Sequence, residues 1–387
     1  MFDYAGYARQ LREELHRIPE IGFDLPKTLA VVHRELEAMG LSYTDKYGPA
    51  SVVAYIGPEN GFTIGLRGDM DALPIQEAND VPYKSTHAGI SHACGHDAHT
   101  AILLAVAKRL VDNAEKLTCR VKLLFTPAEE YEVPGCMILA QNGIMDDVDC
   151  ALALHVTPSK DVGHFVITDA DMGGNSMGFK VRFYGKSAHA VGQHNGVDAI
   201  MMAVQAISAM EIMVAKEIPV SKPKLINIGS IHGGKANNII CDYVEIFGSC
   251  RAAEDAVSET MERRIQQICQ SVAACNGGRA EYERVKFLPY RVNHPVVYKK
   301  LYESIAKRMG EETISKPSAR GLGGEDFGYL SRLKPCCYMS FGVRAPGGKS
   351  SPVHTTTFDI DPESYAAPIE AMTGFVFDHM DGIEFGG

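Results

Sequence analysis

The spacing of apolar positions changes period along the chain, and each change marks an element. Over residues 4–17, Tyr4, Tyr7, Leu11 and Leu15 fall on one helical stripe, and Pro19 ends it. A second helix is predicted from Pro26 to Met39, with proline at its start and Gly40 past its end. Two apolar strands follow, SVVAYI and FTIGLR, the latter feeding a loop of Gly68, Asp69, Met70 and Asp71. The pattern then gives a helix from Ala98 to Val111 and the strand RVKLLFT. After these come the acidic loop PAEEYEVPG, a short helix near Met137–Asn142 and the strand CALALHV, which ends near His155. Strands alternating with helices predict an α/β unit: a mixed, largely parallel sheet with helices on both faces.

Near Gly173 and Gly174 the period switches. SMGFKVRFYG alternates like a half-exposed strand, and a long helix covers 196–215. The strands LINIGSIHGG and YVEIFGSCR follow, then a helix over 256–275 and the strand AEYERVKFLP. The order β-α-β-β-α-β predicts an inserted ferredoxin-like α+β domain. After Pro289 a helix over 296–309, Gly-rich loops, the strand CCYMSFG and a helix over 363–379 restore α/β character. The expected division is therefore a first catalytic part at 1–174, the insertion at 175–288 and a second catalytic part at 289–387.

Composition narrows the possible partners. The 387 residues carry 48 acids against 38 bases, a net charge of −10, which argues against a nucleic-acid surface. Hydrophobic residues at 45% and charged residues at 22% are ordinary for a globular chain. No apolar stretch is read as approaching the roughly 18 residues of a membrane span, and no signal segment is read at the N-terminus. Ten scattered cysteines without a CxxC pair fit a reducing compartment, so the expected location is cytoplasmic.

Polar clusters follow several of the predicted strands: Asp69 and Asp71, the run HACGHDAHT at 92–100, Glu129 with Glu130, and His155. His354 lies in a later loop. Parallel α/β sheets build their sites at this edge. Thiolate and imidazole at Cys94 and His96 suit a borderline divalent metal, and Gly95 lets both donors face one point. The helix that follows would favour thiolate at Cys94. Taken alone, this pair could equally be a helix-capping loop. Of two adjacent carboxylates, one can bind metal while the other takes a proton from metal-bound water. A Glu-Glu pair in a loop is more often a solvated turn, and a single histidine ending an apolar strand is more often a core residue. Together, the Cys, His, Glu, His, His set with a spare Glu favours a two-metal site. Asp97 would cap the helix or orient a ligand, while His92 and His99 are read as non-ligands.

HRIPEIGF, LRGDMDALPIQE, HACGHDAHT, FTPAEE, LALHV, GGKANNIICD, GSCR, GGEDFGYL and PVHTTTFDID follow one another over nearly the whole chain. In that order they resemble the metallohydrolases that include aminoacylase and related carboxypeptidases. The nearest match within that family is the amidohydrolase subfamily of hippurate hydrolases, indole-acetyl-amino-acid hydrolases and N-acetyl-diaminopimelate deacetylases. The resemblance implies a binuclear metal-dependent amidohydrolase with an inserted lid or dimerisation domain. It places Cys94, His96, Glu130, His155 and His354 as ligands of two divalent ions (zinc, manganese, cobalt or nickel) and Glu129 as general base. Asp69 and Asp71 would support these ligands. In the insertion, His189 would steady the oxyanion, and Asn238 and Arg251 would hold the substrate carboxylate.

The implied reaction cleaves an N-acyl-L-amino acid, a small molecule with a free carboxylate, into a carboxylic acid and a free amino acid. The implied enzyme could form a homodimer through the lid, and no nucleic-acid or membrane partner is expected. A dipeptidase or aminopeptidase of the same superfamily, a non-catalytic metal-binding homologue and a cysteine-nucleophile hydrolase remain as alternatives. Three departures from the family pattern bear on the pocket and lid. YEVPG replaces a glycine-rich run after PAEE, KSAHA with His194 stands where GGHAA is common, and NNIICD lacks a proline before its aspartate.

Overall fold

In the computed structural model, which describes residues 2–317, 321–349 and 351–385, the chain forms two units. The first takes Met1–Met172, Arg291–Ala319 and Asp326–Gly387, and the second takes Gly173–Tyr290 with Arg320–Glu325. The last of these segments was read from sequence as part of the catalytic return. Its Gly323 carbonyl instead accepts from Gly174 N at 3.3 Å, and its Leu322 carbonyl accepts from Arg251 at 3.4 Å.

The first unit begins with α1 (Tyr4–His16) and α2 (Pro26–Ala38), then β1 (Tyr43–Thr44), β2 (Val52–Ile56) and β3 (Thr63–Asp69). It continues through α3 (His96–Val111), β4 (Arg120–Thr126), α4 (Gly135–Gln141), β5 (Cys150–Asp161) and β6 (Phe165–Val166). The second unit holds β7 (Asn175–Tyr184), α5 (Ala199–Lys216), β8 (Lys224–Gly233), β9 (Tyr243–Ala252), α6 (Asp255–Cys275) and β10 (Arg279–Leu288). The chain then returns to the first unit with α7 (Pro295–Met309), β11 (Ile314–Ser315), α8 (Gly328–Ser331), β12 (Cys336–Arg344) and α9 (Ala366–His379).

Eight strands form the sheet of the first unit in the order β1-β2-β4-β3-β5-β12-β6-β11. Its centre is parallel, with β3 against β4 and β5, and β5 against β12. The pairs β1–β2, β2–β4 and β6–β12 are antiparallel. Alternation along the strands serves two cores. Val121, Leu123, Phe125, Leu152, Leu154, Met339 and Phe341 pack in the core that holds α1, α3, α7 and α9. Leu124, Ala151, Ala153 and Tyr338 pack with α4 and with Phe327 and Leu330. Both faces are thus covered, which is why these strands read as continuous apolar runs.

The second unit has a four-stranded antiparallel sheet, β10-β7-β9-β8, with a core shared by α5 and α6. This is the ferredoxin-like strand order. One expectation is corrected here, because α5 is 18 residues long and apolar enough to cross a membrane by length and composition. Ala199, Met202, Ala203, Ala206, Met210 and Met213 bury one face of it in the core of this unit, the ordinary position of an apolar helix in a globular fold.

Two boundaries matter for chemistry. α3 begins at His96 rather than Ala98, with Gly95 as its cap at φ +80°. β5 does not end at His155 but runs to Asp161 along β12, whereas its pairing with β3 stops at Ala153. His155 therefore stands just beyond the step where β3 parts from β5, while β3 stays paired with β4 to Asp69.

Candidate metal centre

The centre lies beyond the C-terminal ends of β3 and β4, where three separate loops meet β5. β3 delivers Asp69 at its last residue, and Asp71 follows two positions later. The Asp71 carboxylate accepts the backbone N–H groups of Glu129 and Glu130, both at 3.0 Å. That pairing fixes the acidic loop after β4, where Ala128 takes the strained φ of +59°. Gly95 lets the Cys94 and His96 side chains converge, since an ideal Cβ there would lie 2.8 Å from Val156. His354 reaches the site with φ +62°, its backbone N–H donating to the Ala93 carbonyl at 2.7 Å.

These constraints gather the donors. Cys94 Sγ lies 3.4 Å from His155 Nε2 and 3.3 Å from His354 Nε2. His354 Nε2 is 2.8 Å from Glu130 Oε1. Cys94, His96 and His155 form one group, Cys94, Glu130 and His354 another, and His96, Glu129 and Glu130 a third; within each, the donor atoms lie within 4.8 Å of one another. His155 donates Nδ1–H to the Val156 carbonyl at 2.7 Å, which turns Nε2 toward Cys94. All five ligand candidates and Glu129 thus come together within the first unit. Cys94, His96 and Glu129 are buried, whereas the His354 side chain is 49% exposed at the mouth.

The electrostatics suit a cation. His96 is fully buried, yet neither ring nitrogen makes a hydrogen bond. Its nearest carboxylates are Asp71 at 3.4 Å and Asp69 at 3.8 Å. Burial alone would lower its pKa, but the Asp69 charge and the close approach of Asp71 and Cys94 outweigh burial and raise it well above the usual value. Burial pushes the Cys94 thiol well above its usual range, reversing the expectation that the helix terminus would make it a thiolate. A divalent ion would resolve both anomalies by drawing the proton from sulfur and taking a lone pair of the imidazole. The mix of thiolate, imidazole and carboxylate fits zinc, manganese, cobalt or nickel.

The supporting residues divide by direction. Asp69 faces inward and binds His99 Nδ1 at 2.5 Å, while His99 Nε2 accepts from Val156 N at 3.0 Å. Both ring nitrogens of His99 are engaged, so it serves structure. Asp97 turns the other way: its carboxylate meets Arg12 at 2.8 Å and His16 at 2.6 Å on α1. It is not the side-chain cap of α3. Tyr131, in the YEVPG loop, stands edge-on to Phe23 at 6.2 Å and sits over Gly22.

In the second unit the chain pairs His189 with Ile239 in a β-bridge, and Ala190 N donates to the Asn238 carbonyl at 2.9 Å, so His189 and Asn238 lie on adjoining segments. Both are exposed. Arg251 lies within β9, between Ser176 on β7 and Leu225 on β8. Sequence reading missed Arg67, a fully buried cation that binds Asp69 at 2.5 Å, Asp326 at 2.7 Å and Thr126 at 2.9 Å. An arginine inside the apolar strand FTIGLR was the available signal, because buried cations need paired anions.

Residues 65–378 match peptidase family M20/M25/M40. Thermostable carboxypeptidase 2 of Saccharolobus solfataricus is 32% identical, covering 91% of this chain and 90% of that protein. The N-acetyl-L-cysteine deacetylase of Bacillus subtilis is 32% identical, covering 86% of this chain and 79% of that protein. The solved structure of the YXEP protein of Bacillus subtilis, a dinuclear metal-binding peptidase from the M20 family, superposes with a TM-score of 0.81 at 25% identity, covering 98% of this chain and 99% of that one. With these donors at the edge of this sheet, the chain belongs to peptidase family M20/M25/M40 and is a metal-dependent amidohydrolase.

Proposed function

We propose that the chain hydrolyses the amide bond of N-acyl-L-amino acids, releasing a carboxylic acid and a free amino acid. The observation that carries this reading is the buried Glu129 beside a Cys94–His96–Glu130–His155–His354 donor set, with both glutamates held by Asp71. Cys94 belongs to two of the donor groups, which supports two ions rather than one. Such ions, when bound, supply Lewis acidity and lower the pKa of water. Glu129 takes the proton of the attacking water and delivers it to the nitrogen of the leaving amine. Motif resemblance assigns His189 to the developing oxyanion and Asn238 and Arg251 to the substrate carboxylate, where a guanidinium fork suits two oxygens.

The deacetylase among the relatives supports the acyl-amino-acid reading; the carboxypeptidase supports a peptidase as the second reading. A non-catalytic metal-binding role is disfavoured because a binding protein has no need of Glu129. β8 ends the four-stranded sheet with Leu225 and Ile231 exposed, which supports pairing of two copies through this unit. None of the ten cysteines forms a disulfide, which supports a cytoplasmic location.

The test is a panel of hippurate, acetyl-amino acids and dipeptides, assayed after loading with zinc, manganese, cobalt or nickel in turn. Hydrolysis of the acyl-amino acids is expected, while turnover confined to dipeptides would replace this reading with the second. Glu129→Gln should keep its metal and lose about 10²–10⁴-fold in kcat. A near wild-type kcat would remove Glu129 as the base.

A further inference from the structure

Two of the ligand candidates, His96 and His354, arrive on segments far apart in sequence, and both segments carry a carboxylate on the side away from the centre. Asp97 follows His96 directly, and Asp359 lies five positions beyond His354. One side chain bridges these carboxylates. Arg12, buried on α1, donates through Nε to Asp97 Oδ2 at 2.8 Å and through Nη2 to Asp359 Oδ1 at 2.9 Å. Tyr83 donates to the other Asp359 oxygen at 2.8 Å, and its ring lies 4.8 Å from the Arg12 guanidinium carbon. His16, one turn along α1, meets the Asp97 oxygen that Arg12 uses, at 2.6 Å.

We propose that Arg12 is a positioning residue that sets the separation of the segments carrying His96 and His354, and through it the metal affinity of the centre. The proposal rests on the reading of both histidines as ligands. The physical reason is the guanidinium plane. Its N–H groups point in fixed directions, so two carboxylates bound to one fork have a fixed separation, which a flexible ammonium cannot impose. Burying such a network adds little net stability compared with apolar packing, so its retention next to the centre fits a geometric role. Local couplings between the segments are the His354 backbone bond to Ala93, the Cys94–His354 contact and the Phe358 ring beside Gly95. None of these joins Asp97 to Asp359.

The experiment titrates metal-free protein with Zn²⁺, and separately with Mn²⁺, against a chromophoric chelator. The proteins are wild type, Arg12→Lys, Asp359→Asn, His354→Ala and the Arg12→Lys/His354→Ala double variant. The melting temperature of each metal-free protein is measured in parallel. Outer partners of metal ligands typically contribute about 10–100-fold in affinity. A loss of that size is expected for Arg12→Lys and for Asp359→Asn with the metal-free melting temperature close to wild type. The losses of Arg12→Lys and His354→Ala should be non-additive, because one acts through the other; a merely structural role would give additive losses. Wild-type affinity in folded Arg12→Lys overturns the proposal. If Arg12→Lys does not fold, Asp359→Asn decides by the same criterion. If His354→Ala itself binds metal like wild type, the ligand reading fails instead, which separates the two.

Discussion

At the scale of single residues, Gly95 joins backbone geometry to chemistry. It holds φ +80° between two donor candidates, and a Cβ would meet Val156 at 2.8 Å and Phe358 at 3.5 Å. Gly95→Ala should therefore destabilise the metal-free protein by about 1–3 kcal/mol in denaturant unfolding and weaken metal binding as well. Cys94→Ser should lose more affinity than the roughly 10–100-fold typical of outer partners. Unchanged metal content by elemental analysis would remove Cys94 from the ligand set. pH adds a signature. Burial keeps the Cys94 thiol protonated in the metal-free protein, so binding must release that proton. Wild-type affinity should then rise by about one log unit per pH unit from this group, and Cys94→Ser should lose that part of the slope. Much at this scale was legible in the sequence, because thiol, imidazole and carboxylate advertise their chemistry wherever they stand. The direction of a side chain was not. For Asp97 the sequence left open a helix cap or the orientation of a ligand; its side chain is not the cap and faces Arg12 and His16, since helix α3 presents successive residues to different sides.

At the scale of elements, periodicity located the longer helices and strands but not β1, β6, β11 or α8, which are only two to four residues long, and its other errors fell at ends decided by neighbours. α3 gained its first turn because the left-handed Gly95 starts it, and β5 ran on because β12 continues to pair with it. The clamp between α7 and α9 was also invisible in sequence. Arg308, Lys307 and Ser304 converge on Asp378, with Lys307 Nζ at 3.0 Å and Ser304 Oγ at 2.9 Å. Burial would raise the Asp378 carboxyl, but hydrogen bonds from Arg308, Lys307 and Ser304 outweigh it and hold the pKa below the usual value. A carboxyl lowered on folding stabilises fully above its ordinary pKa and loses that contribution as pH falls through the folded value. Asp378→Asn should accordingly cost about 1 kcal/mol near neutrality. The gap between its melting temperature and that of wild type should begin to narrow as pH is lowered below about 4 and close only as pH falls through the lower folded value. A constant gap between pH 7 and pH 3 would show that the clamp acts through packing alone.

At the scale of the whole molecule, two units with separate cores should respond differently to metal. All the ligand candidates belong to the first, and α5 and α6 share their core with the second sheet. Metal should stabilise the folded protein by about 2.7 kcal/mol per site at a hundredfold excess over Kd. Hydrogen exchange should show the added protection at 92–100, 127–135 and 352–358 and little in α5 and α6. Chelation should abolish hydrolysis and remove that protection together; retained activity without metal would contradict the metal-dependent reading.

The sequence by itself determined the α/β class, the β-α-β-β-α-β pattern, the candidate donor residues and the family. Each of these follows from local order: the period of apolar positions, the turn residues between them and the chemistry of the side chains. Only the tertiary structure decided which donors meet. Cys94 lies 3.3 Å from His354 although 260 residues separate them, and Asp71 holds the Glu129–Glu130 loop from 58 positions away. Such contacts depend on strand order and on buried hydrogen bonds such as those of Arg12 and Arg67. No local pattern encodes them, because their partners are brought together only when the sheet has formed.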